Sequence, residues 1–282
     1  MTPLTICILH YNKLPQLKKT VDCLFKNTQV DFNLRILNNG YLDAKIEKYL
    51  EELQKKDRIS VMFSNENLGC PPGRYQCLKG IETEFVVTLD DDIYVPQGWF
   101  SELKPVFEKY PNVGGVGFVL LNKEGEIDSI GGRNIEVKNN IVKTSKPEIL
   151  PSQVKNEVIQ VDDLSGGAMV FKKNLLDDFS WDPNYFVGFG DLDKGLQLKE
   201  TGYNFYIHTN VQAVHDKISK KKDKKKYNKA RRDYHEIRRS YLYFVDKWGY
   251  RLPWKRHLFY KYFCLLPNTL VRKFVYYWLS RG

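Results

Sequence analysis

Three consecutive aspartates, Asp90 to Asp92, offer the clearest chemistry in the sequence. They directly follow the apolar run Phe85–Leu89, which has the composition of a buried strand. Adjacent carboxylates repel one another, and burying them costs free energy unless a cation compensates their charge. A hard divalent ion such as Mg²⁺ or Mn²⁺ binds carboxylate and phosphate oxygens together and can neutralise a pyrophosphate leaving group. The alternative is a solvated acidic turn whose aspartates cap the next helix.

The elements that could position these carboxylates alternate along the first third of the chain. Apolar, β-branched runs predict strands, and the Leu-, Lys- and Glu-rich runs between them predict helices. The predicted strands are Thr5–Leu9, Phe32–Leu37, Ile59–Phe63 and Phe85–Leu89, and the predicted helices are Leu14–Phe25 and Asp43–Lys56. This alternation is typical of the α/β class, in which helices cover a mostly parallel sheet.

Polar clusters follow these predicted strands. In parallel α/β sheets, ligands bind beyond the carboxyl ends of the strands. The clusters found there are His10-Tyr11-Asn12, Asn38-Asn39, Ser64–Gly69 and Asp90-Asp91-Asp92. The sequence therefore predicts a ligand site at that edge of the sheet.

These motifs, with several later ones, resemble the family 2 glycosyltransferases of the GT-A fold over about residues 4–215. The matching segments are His10-Tyr11-Asn12, Asn38-Asn39-Gly40, Asn65–Gly69 before Arg74, Leu89–Asp92, Leu164–Met169, Gly190–Asp193 before Gly202-Tyr203, and Val214-His215. Each segment is weakly specific by itself, so their common order carries the resemblance. It implies a Rossmann-like, mostly parallel GT-A catalytic domain over residues 1–215 that transfers a sugar from a nucleotide-sugar donor.

The resemblance implies that one set of residues binds the donor. Tyr11 is expected against the nucleobase, because an aromatic face suits a planar ring, although a tyrosine at a strand end can also be a core residue. Asn38 replaces the family's usual aspartate and can both donate to and accept from a base, although a simple turn fits the same residues. The full set is His10, Tyr11, Asn12, Asn38, Asn67, Arg74, Asp90, Asp91, Gly166 and Gly167, with Asp162 and Asp163 near the sugar or acceptor.

The same resemblance implies a metal site. Asp92 is expected to bind Mn²⁺ or Mg²⁺ together with Asp90 and His215. A lone histidine is more often structural than a ligand, and the position of His215 in the family's closing motif is what favours the ligand role.

The resemblance further implies a catalytic base at the start of a predicted helix. Asp191 aligns with the carboxylate that takes the proton of the acceptor hydroxyl, and Asp193 is the second candidate. Gly190 departs from the family, which usually has a glutamate there. Capping aspartates on an ordinary helix fit the same residues. The implied reaction inverts the anomeric configuration.

Charge divides the chain near Asp216. The net charge is −6 over residues 1–216 and +16 over residues 217–282. We therefore predict a helical, basic and aromatic-rich extension over residues 216–282. Basic clusters followed by Trp- and Tyr-rich segments are typical of binding at an anionic membrane surface, where each Lys or Arg contributes about 1 kcal/mol. The alternatives are a solvated lysine loop followed by helices that pack on the catalytic domain, and a nucleic-acid partner, for which the sequence carries no recognisable motif.

Composition indicates an ordinary globular protein. Of 282 residues, 42% are hydrophobic and 28% charged, which excludes an intrinsically disordered chain. No run approaches the roughly 18 apolar residues of a membrane-spanning helix, and the N-terminal apolar run is too short for a signal peptide. The five scattered cysteines lack metal-site spacing and indicate reduced thiols in the cytoplasm.

The sequence thus predicts a metal-dependent, inverting glycosyltransferase of polysaccharide biosynthesis. We expect a UDP- or dTDP-sugar donor and a glycan or lipid-linked glycan acceptor, with the enzyme peripheral on the inner face of the cell membrane. Two alternatives stay open. A sugar nucleotidyltransferase also uses metal-binding aspartates, but the sequence lacks a Gly-rich basic loop after the first strand. The other alternative is a catalytically silent membrane- or nucleic-acid-binding module.

Overall fold

A computed structural model of the chain describes residues 3–147, 158–217, 233–266 and 270. Strands and helices alternate through its first ninety residues. They are β1 (Leu4–His10), α1 (Leu14–Asn27), β2 (Phe32–Asn39), α2 (Ala44–Gln54), β3 (Ile59–Ser64), α3 (Cys70–Leu78) and β4 (Phe85–Asp90). The six elements predicted in this region are all present, with ends that differ from the prediction by at most two residues.

The middle of the chain adds mostly strands. They are β5 (Ile93–Tyr94), β6 (Val113–Leu121), β7 (Ile127–Ser129), β8 (Gly132–Lys138), β9 (Ile141–Ser145), β10 (Val158–Val161), β11 (Asp163–Leu164), β12 (Ala168–Lys172) and β13 (Asn204–His215). The helices among them are α4 (Trp99–Leu103), α5 (Val106–Lys109), a 3₁₀ helix (Lys173–Asp177) and α6 (Gly190–Glu200). The described C-terminal elements are α7 (Tyr234–Trp248), α8 (Trp254–Leu258) and a π-helix (Phe259–Phe263).

A mixed ten-stranded sheet forms the centre of the molecule. Its order is β10-β13-β6-β12-β4-β1-β2-β3, with β5 paired to β13 and β7 to β6. Strands β3, β2, β1 and β4 run parallel, as do β6 and β13, whereas β12 is antiparallel to both of its neighbours. The predicted α/β architecture with a mostly parallel central sheet is confirmed. A second, three-stranded sheet has the order β11-β8-β9.

Register aligns the ends of the parallel strands. His10 pairs with Asn38 across β1 and β2, and Leu9 pairs with Asp90 across β1 and β4. Because parallel strands with matched ends finish at one edge, the polar residues that follow β1, β2 and β4 are brought to the same side of the sheet.

Apolar side chains cover both faces of this sheet. Within β1, Ile6 and Ile8 belong to one buried cluster and Cys7 to another, as the alternation of side chains along a strand requires. Helix α1 buries Leu17, Val21 and Leu24, whose spacing places them on one helical face against the first cluster.

The described part of the extension packs on the rest of the chain. Tyr241 and Phe244 of α7 are fully buried in a third cluster with Tyr185 and with Leu192 and Leu196 of α6. Asp233 caps the first turn of α7, and Gly249 ends it in the left-handed conformation. The lysine-rich residues 218–232, on which most of the predicted basic segment falls, lie outside the described residues.

Candidate active site

A cleft of about 540 Å³ lies at the carboxyl edge of the parallel strands. One wall comes from the ends of β1, β2 and β4 and from the loop before α3, and includes Tyr11, Asn39, Asn67, Asp90 and Asp91. The opposite wall comes from β8, the N-terminal end of α6 and the C-terminal extension, and includes Arg133, Asp191, Leu192, Leu252, Arg256 and Tyr260.

Asp90 lies in the cleft beside Arg74 and a close-fitting glycine. Arg74 donates from Nη2 to Asp90 Oδ1 at 2.9 Å, and the neighbouring carboxylates Asp90 and Asp191 raise the pKa of the guanidinium although burial opposes this. The Asp90 N–H donates to the Gly167 carbonyl at 2.9 Å. A Cβ at Gly167 would lie 2.4 Å from the Asp90 carboxyl carbon, so only glycine leaves room for this carboxylate.

Asp191 lies in the first turn of α6 and faces the same arginine. Its Oδ1 is 3.8 Å from Arg74 Nη1, and its side chain is 37% exposed. A Cβ at Gly166 would lie 2.5 Å from that oxygen. Burial by itself would raise the pKa of Asp191. The positive charges of Arg74, Lys194 and Arg133 outweigh burial and hold the pKa below its usual value of 3.8, so the carboxylate is ionised at neutral pH.

Asp193, the second predicted base, is fully buried and outside the cleft lining. Its Oδ1 accepts hydrogen bonds from Trp248 Nε1 at 2.8 Å and from the Tyr185 hydroxyl at 3.1 Å. Lys247 forms an ion pair with the same oxygen at 2.8 Å, and Gln197 donates to Oδ2 at 2.5 Å. Two of these partners, Trp248 and Lys247, tie α7 to α6, and all four keep the carboxylate away from solvent, so the geometry favours Asp191 as the proton acceptor.

Asp91 and Asp92 are buried and share a lysine that the motif-based prediction had missed. Lys13 Nζ lies 3.1 Å from Asp91 Oδ1 and 2.7 Å from Asp92 Oδ2. His10 Nδ1 lies 2.7 Å from Asp91 Oδ2, which places the histidine behind the triplet and not in the cleft lining. The signal for Lys13 was its position directly after the His10-Tyr11-Asn12 motif at the end of β1, where a cation opposite an acidic triplet is expected.

His215 connects Asp92 to a further carboxylate that sequence reasoning missed. Its Nε2 lies 3.5 Å from Asp92 Oδ1, and its Nδ1 lies 2.9 Å from Asp128 Oδ2. Lys217 Nζ pairs with Asp128 Oδ1 at 2.5 Å. Burial would lower the pKa of His215, but the carboxylates Asp92, Asp90 and Asp128 raise it above the usual 6.5.

The residues predicted to hold a divalent ion fit that role in part. Asp92 Oδ1 is buried without a hydrogen-bond partner and faces His215 Nε2, and a carboxylate oxygen with an imidazole nitrogen is a suitable donor pair for Mn²⁺. Asp90, the third predicted ligand, turns towards Arg74. Across the described ranges, no group of three or more His, Cys, Asp or Glu side chains is arranged to hold a metal ion. The remaining ligands of an ion at Asp92 and His215 would therefore be diphosphate or water oxygens.

At the end of β2, the neighbouring residues Asn38 and Asn39 lie in different environments. Asn38, the predicted base-binding residue, is buried, donates to the Tyr41 carbonyl at 3.1 Å and does not line the cleft. Asn39 does line it and donates to the Asn67 side chain and to the Gly69 carbonyl, both at 3.1 Å. Successive strand residues face opposite sides, so the choice between the two depended on a register that the motif does not specify.

Tyr11 and Asn12 follow β1. Tyr11 lines the cleft and makes an edge-to-face contact with Tyr41 at a centroid distance of 5.2 Å. Asn12 has a buried Oδ1 without a hydrogen-bond partner and does not line the cleft.

Asp162 and Asp163 are engaged by protein groups. Asp162 accepts from the Ile135 N–H at 2.7 Å, and the fully buried Asp163 pairs with Arg133 at 2.7 Å and with the fully buried Lys194. Since Lys194 is buried on α6 and its charge lowers the pKa of Asp191, this pair supports the ionised base.

No helix within the described parts of the chain is long and apolar enough to cross a membrane.

Comparison with known proteins assigns the family. The model of glycosyl transferase family 2 matches residues 5–179, which is more than half of the chain. No curated protein sequence matches. Among solved structures, GalNAc-T7 with UDP, GalNAc and Mn²⁺ superposes with a TM-score of 0.62 at 13% identity, over 89% of this chain and 56% of that one. TarS 1-349 of S. aureus superposes with a TM-score of 0.55 at 13% identity, over 88% of this chain and 72% of that one.

The chain thus spans little more than half the length of the GalNAc-T7 structure. These likenesses confirm the predicted GT-A fold, and the family match covers the segment that carries the aspartate triplet and the Gly166-Gly167 turn. The chain belongs to glycosyl transferase family 2.

Proposed function

We propose that the protein transfers one sugar from a nucleotide-diphosphate donor, UDP- or dTDP-sugar, to a glycan or lipid-linked glycan, with inversion at the anomeric carbon. The observation that carries this proposal is the convergence of Asp90, Arg74 and Asp191 on the Gly166-Gly167 turn inside one cleft. The UDP and Mn²⁺ in the GalNAc-T7 structure favour a nucleotide-sugar donor and a divalent ion here as well.

Asp191 supplies the base in this proposal. Its carboxylate takes the proton of the acceptor hydroxyl while the hydroxyl oxygen bonds to the anomeric carbon of the donor sugar. The bond between that carbon and the diphosphate oxygen breaks, and the diphosphate leaves with the electron pair. The depressed pKa of Asp191 keeps it ionised, and therefore able to accept a proton, throughout the neutral range.

Positive charge for the leaving diphosphate comes from the wall of the cleft that contains Asp90 and Asp91. The Arg74 guanidinium and the Lys13 ammonium line the cleft beside Asp90 and Asp91. Both are held in place by carboxylates, so they need not reorganise as charge develops. A divalent ion bound by Asp92 and His215 would add Lewis-acid stabilisation of the same diphosphate.

The contacts to the donor nucleotide come from the same wall of the cleft, at the ends of β1 and β2. Tyr11 offers an aromatic face to the nucleobase, and Asn67 offers its side-chain NH2 group to the polar edge of the base or to the ribose. The proposal adds Asn39 as the residue that positions Asn67, because Asn39 donates to the Asn67 side-chain oxygen.

The proposal is tested by calorimetric binding of UDP, dTDP, GDP and CDP, with and without Mn²⁺, to the wild type and to Asp92→Ala. The expected result is metal-dependent binding of one diphosphate that is lost in the variant. The matched control is Asp31→Asn, which removes an exposed carboxylate paired with Arg58 and should bind like the wild type. Absence of binding for every nucleotide under both conditions would refute the transferase function.

We propose in addition that the extension contacts an anionic membrane surface on the cytoplasmic side. Trp254 and Tyr262 are more than half exposed, and Lys255 and Lys261 lie 5.6 and 5.2 Å from their ring centroids. Aromatic rings beside ammonium groups suit the lipid headgroup region.

Co-sedimentation with vesicles containing anionic phosphatidylglycerol should exceed that with neutral phosphatidylcholine, and the double substitution Trp254→Ala and Tyr262→Ala should abolish the difference. Equal sedimentation of wild type with both vesicles would contradict this contact.

A further inference from the structure

The C-terminal extension forms part of the cleft that contains Asp191. Ile237 of α7, Leu252 before α8, Arg256 of α8 and Tyr260 of the π-helix all line it. Residues 251–260 thus reach the same space as the aspartate triplet, although they lie beyond the segment that matches the family model.

Four basic side chains line the cleft, and three of them form ion pairs with aspartates. The four are Lys13, Arg74, Arg133 and Arg256. The first three pair with aspartates, at 2.7 Å for Lys13 and Asp92, 2.9 Å for Arg74 and Asp90, and 2.7 Å for Arg133 and Asp163. Arg256 is exposed and pairs with no carboxylate of the described residues. It is therefore a cation directed at a ligand or at solvent.

The residues around the base pack on the extension. Phe189, two residues before Asp191, has a left-handed backbone with φ of 55°, which is rare for a bulky side chain. Its ring is held by Tyr241, Phe244 and Tyr260, with centroid distances of 5.3, 5.6 and 5.8 Å. Strained backbone of this kind persists where surrounding contacts determine it and is concentrated at functional sites.

The position of the cleft wall formed by the extension indicates which substrate binds against it. The acceptor hydroxyl must lie beside the base, and Leu192, which follows Asp191, belongs to the same buried cluster as Leu252. The donor contacts proposed above lie on the other wall, at the ends of β1 and β2. Arg256 and Tyr260 are four residues apart, which in a helical segment places them on one face.

We propose that this wall is the acceptor subsite and that it selects an acceptor carrying an anionic group, a phosphate or a carboxylate, next to the sugar that receives the transfer. This inference rests on the proposed glycosyltransferase function. Arg256 binds the anion through its planar fork of N–H donors, which matches phosphate and carboxylate oxygens. Tyr260 and Phe189 supply the aromatic surface beside it, a common combination in small-molecule sites.

The test measures binding of matched probes to the full-length chain saturated with UDP and Mn²⁺. One pair is cellobiouronic acid and cellobiose, which differ in a carboxylate. The other pair is farnesyl-diphosphate-linked N-acetylglucosamine and farnesyl N-acetylglucosaminide, which differ in the diphosphate. The variants are Arg256→Gln, Arg256→Lys and the control Arg251→Gln, which neutralises an exposed arginine of the extension that does not line the cleft.

The expected result is that the wild type prefers at least one anionic probe to its neutral counterpart and that Arg256→Gln weakens that probe about tenfold, as loss of a charged hydrogen bond predicts. Arg256→Lys should lose less, and Arg251→Gln should change the Kd less than twofold. The preferred pair then identifies the source of the anion, glycan carboxylate or lipid diphosphate.

Equal binding of charged and neutral probes by the wild type would overturn the inference, as would equal effects of Arg256→Gln and Arg251→Gln. Binding of UDP without binding of any probe would also overturn it. Failure of UDP to bind would instead refute the proposed function, and the effect of Arg256→Gln on the anionic probes, measured without UDP, would still decide the role of Arg256.

Discussion

Two aspartates two residues apart on α6 have opposite environments. Asp191 is partly exposed to the cleft, and its charge is supported by Arg74. Asp193 is fully buried and accepts from Trp248 and Tyr185. The same residue type is therefore suited to proton transfer at one position and to holding the fold at the other.

Substitution by asparagine should separate these roles. Asp191→Asn should lower kcat by about 10²- to 10⁴-fold, since general base catalysis contributes that much, with little change in Tm. Asp193→Asn should instead lower the free energy of unfolding by roughly 2 kcal/mol or more, because the variant removes the buried charged acceptor of Trp248 and Lys247. Turnover of a nucleotide sugar and urea unfolding measure the two effects. A catalytically dead but fully stable Asp193→Asn protein would reverse the assignment.

Asp128 orients His215 through its Nδ1 atom, which leaves Nε2 towards Asp92. Carboxylates in this position fix the tautomer of a metal-binding histidine, and their loss typically weakens metal affinity 10- to 100-fold. Asp128→Asn should therefore raise the Kd of Mn²⁺ by about that factor in the presence of UDP, as measured by electron paramagnetic resonance of free Mn²⁺. Asp31→Asn is the control, and an unchanged Kd in Asp128→Asn would exclude the orienting role.

At the scale of elements, α6 depends on its neighbours for the placement of its N-terminal end. The short turn Gly166-Gly167 approaches it from β12, and α7 holds it from the other side through the third apolar cluster. Asp182, in the loop before α6, adds a polar connection to α7, because it accepts from Tyr243 at 2.9 Å and pairs with Lys247 at 2.8 Å.

This connection should make stability depend on pH. Burial would raise the pKa of Asp182, but Lys247, Asn184 and Tyr243 hold it below its usual value of 3.8. A carboxyl with a depressed folded-state pKa contributes stability above its unfolded pKa and loses that contribution as pH falls through the folded pKa. Asp182→Asn should therefore be less stable than the wild type by about 1 kcal/mol at pH 7.

Urea unfolding at pH 7 and pH 3 measures this effect. The difference between Asp182→Asn and the wild type should shrink at pH 3, where the wild-type carboxyl begins to lose its charge. The exposed pair removed by Asp31→Asn should change stability by less than about 0.5 kcal/mol at either pH. A difference for Asp182→Asn that is equal at both pH values would show that its charge contributes nothing.

On the scale of the whole molecule, the residues before the predicted boundary at 216 and the described part of the extension share the third apolar cluster. Tyr241 and Phe244 are fully buried against α6, and Trp248 reaches Asp193. We therefore propose that the boundary at residue 216, drawn from the change in charge, divides two parts that depend on each other for stability.

Truncation after Asp216 tests this dependence. The truncation removes Tyr241 and Phe244, whose burial against α6 contributes roughly 2 kcal/mol each. It should therefore lower Tm by about 10 °C. Truncation after Leu266 retains the described helices and is the control, with a Tm close to that of the full chain. A 1–216 protein that melts within about 2 °C of the full chain would establish an independent catalytic domain.

Much of this protein is determined by its sequence alone. Strand and helix positions in the first ninety residues follow from local periodicity. The ordered polar motifs were enough to recognise the family and its fold, and those after β1, β2 and β4 follow strands whose ends lie at one edge of the sheet. Asp90, Asp191, Arg74 and Tyr11 all reach the cleft as expected.

Other features were decided only by tertiary structure. The motif did not distinguish Asn39 from Asn38, because a one-residue change of register exchanges the faces of a strand. Lys13, Asp128 and Lys194 became part of the site through contacts between residues that lie between 31 and 87 positions apart in sequence. The spacing of Ile237, Tyr241, Phe244 and Trp248 is typical of one face of a helix, but it does not specify the surface that this face covers. Their packing on α6, and with it the second wall of the cleft, results from long-range burial that local patterns do not encode.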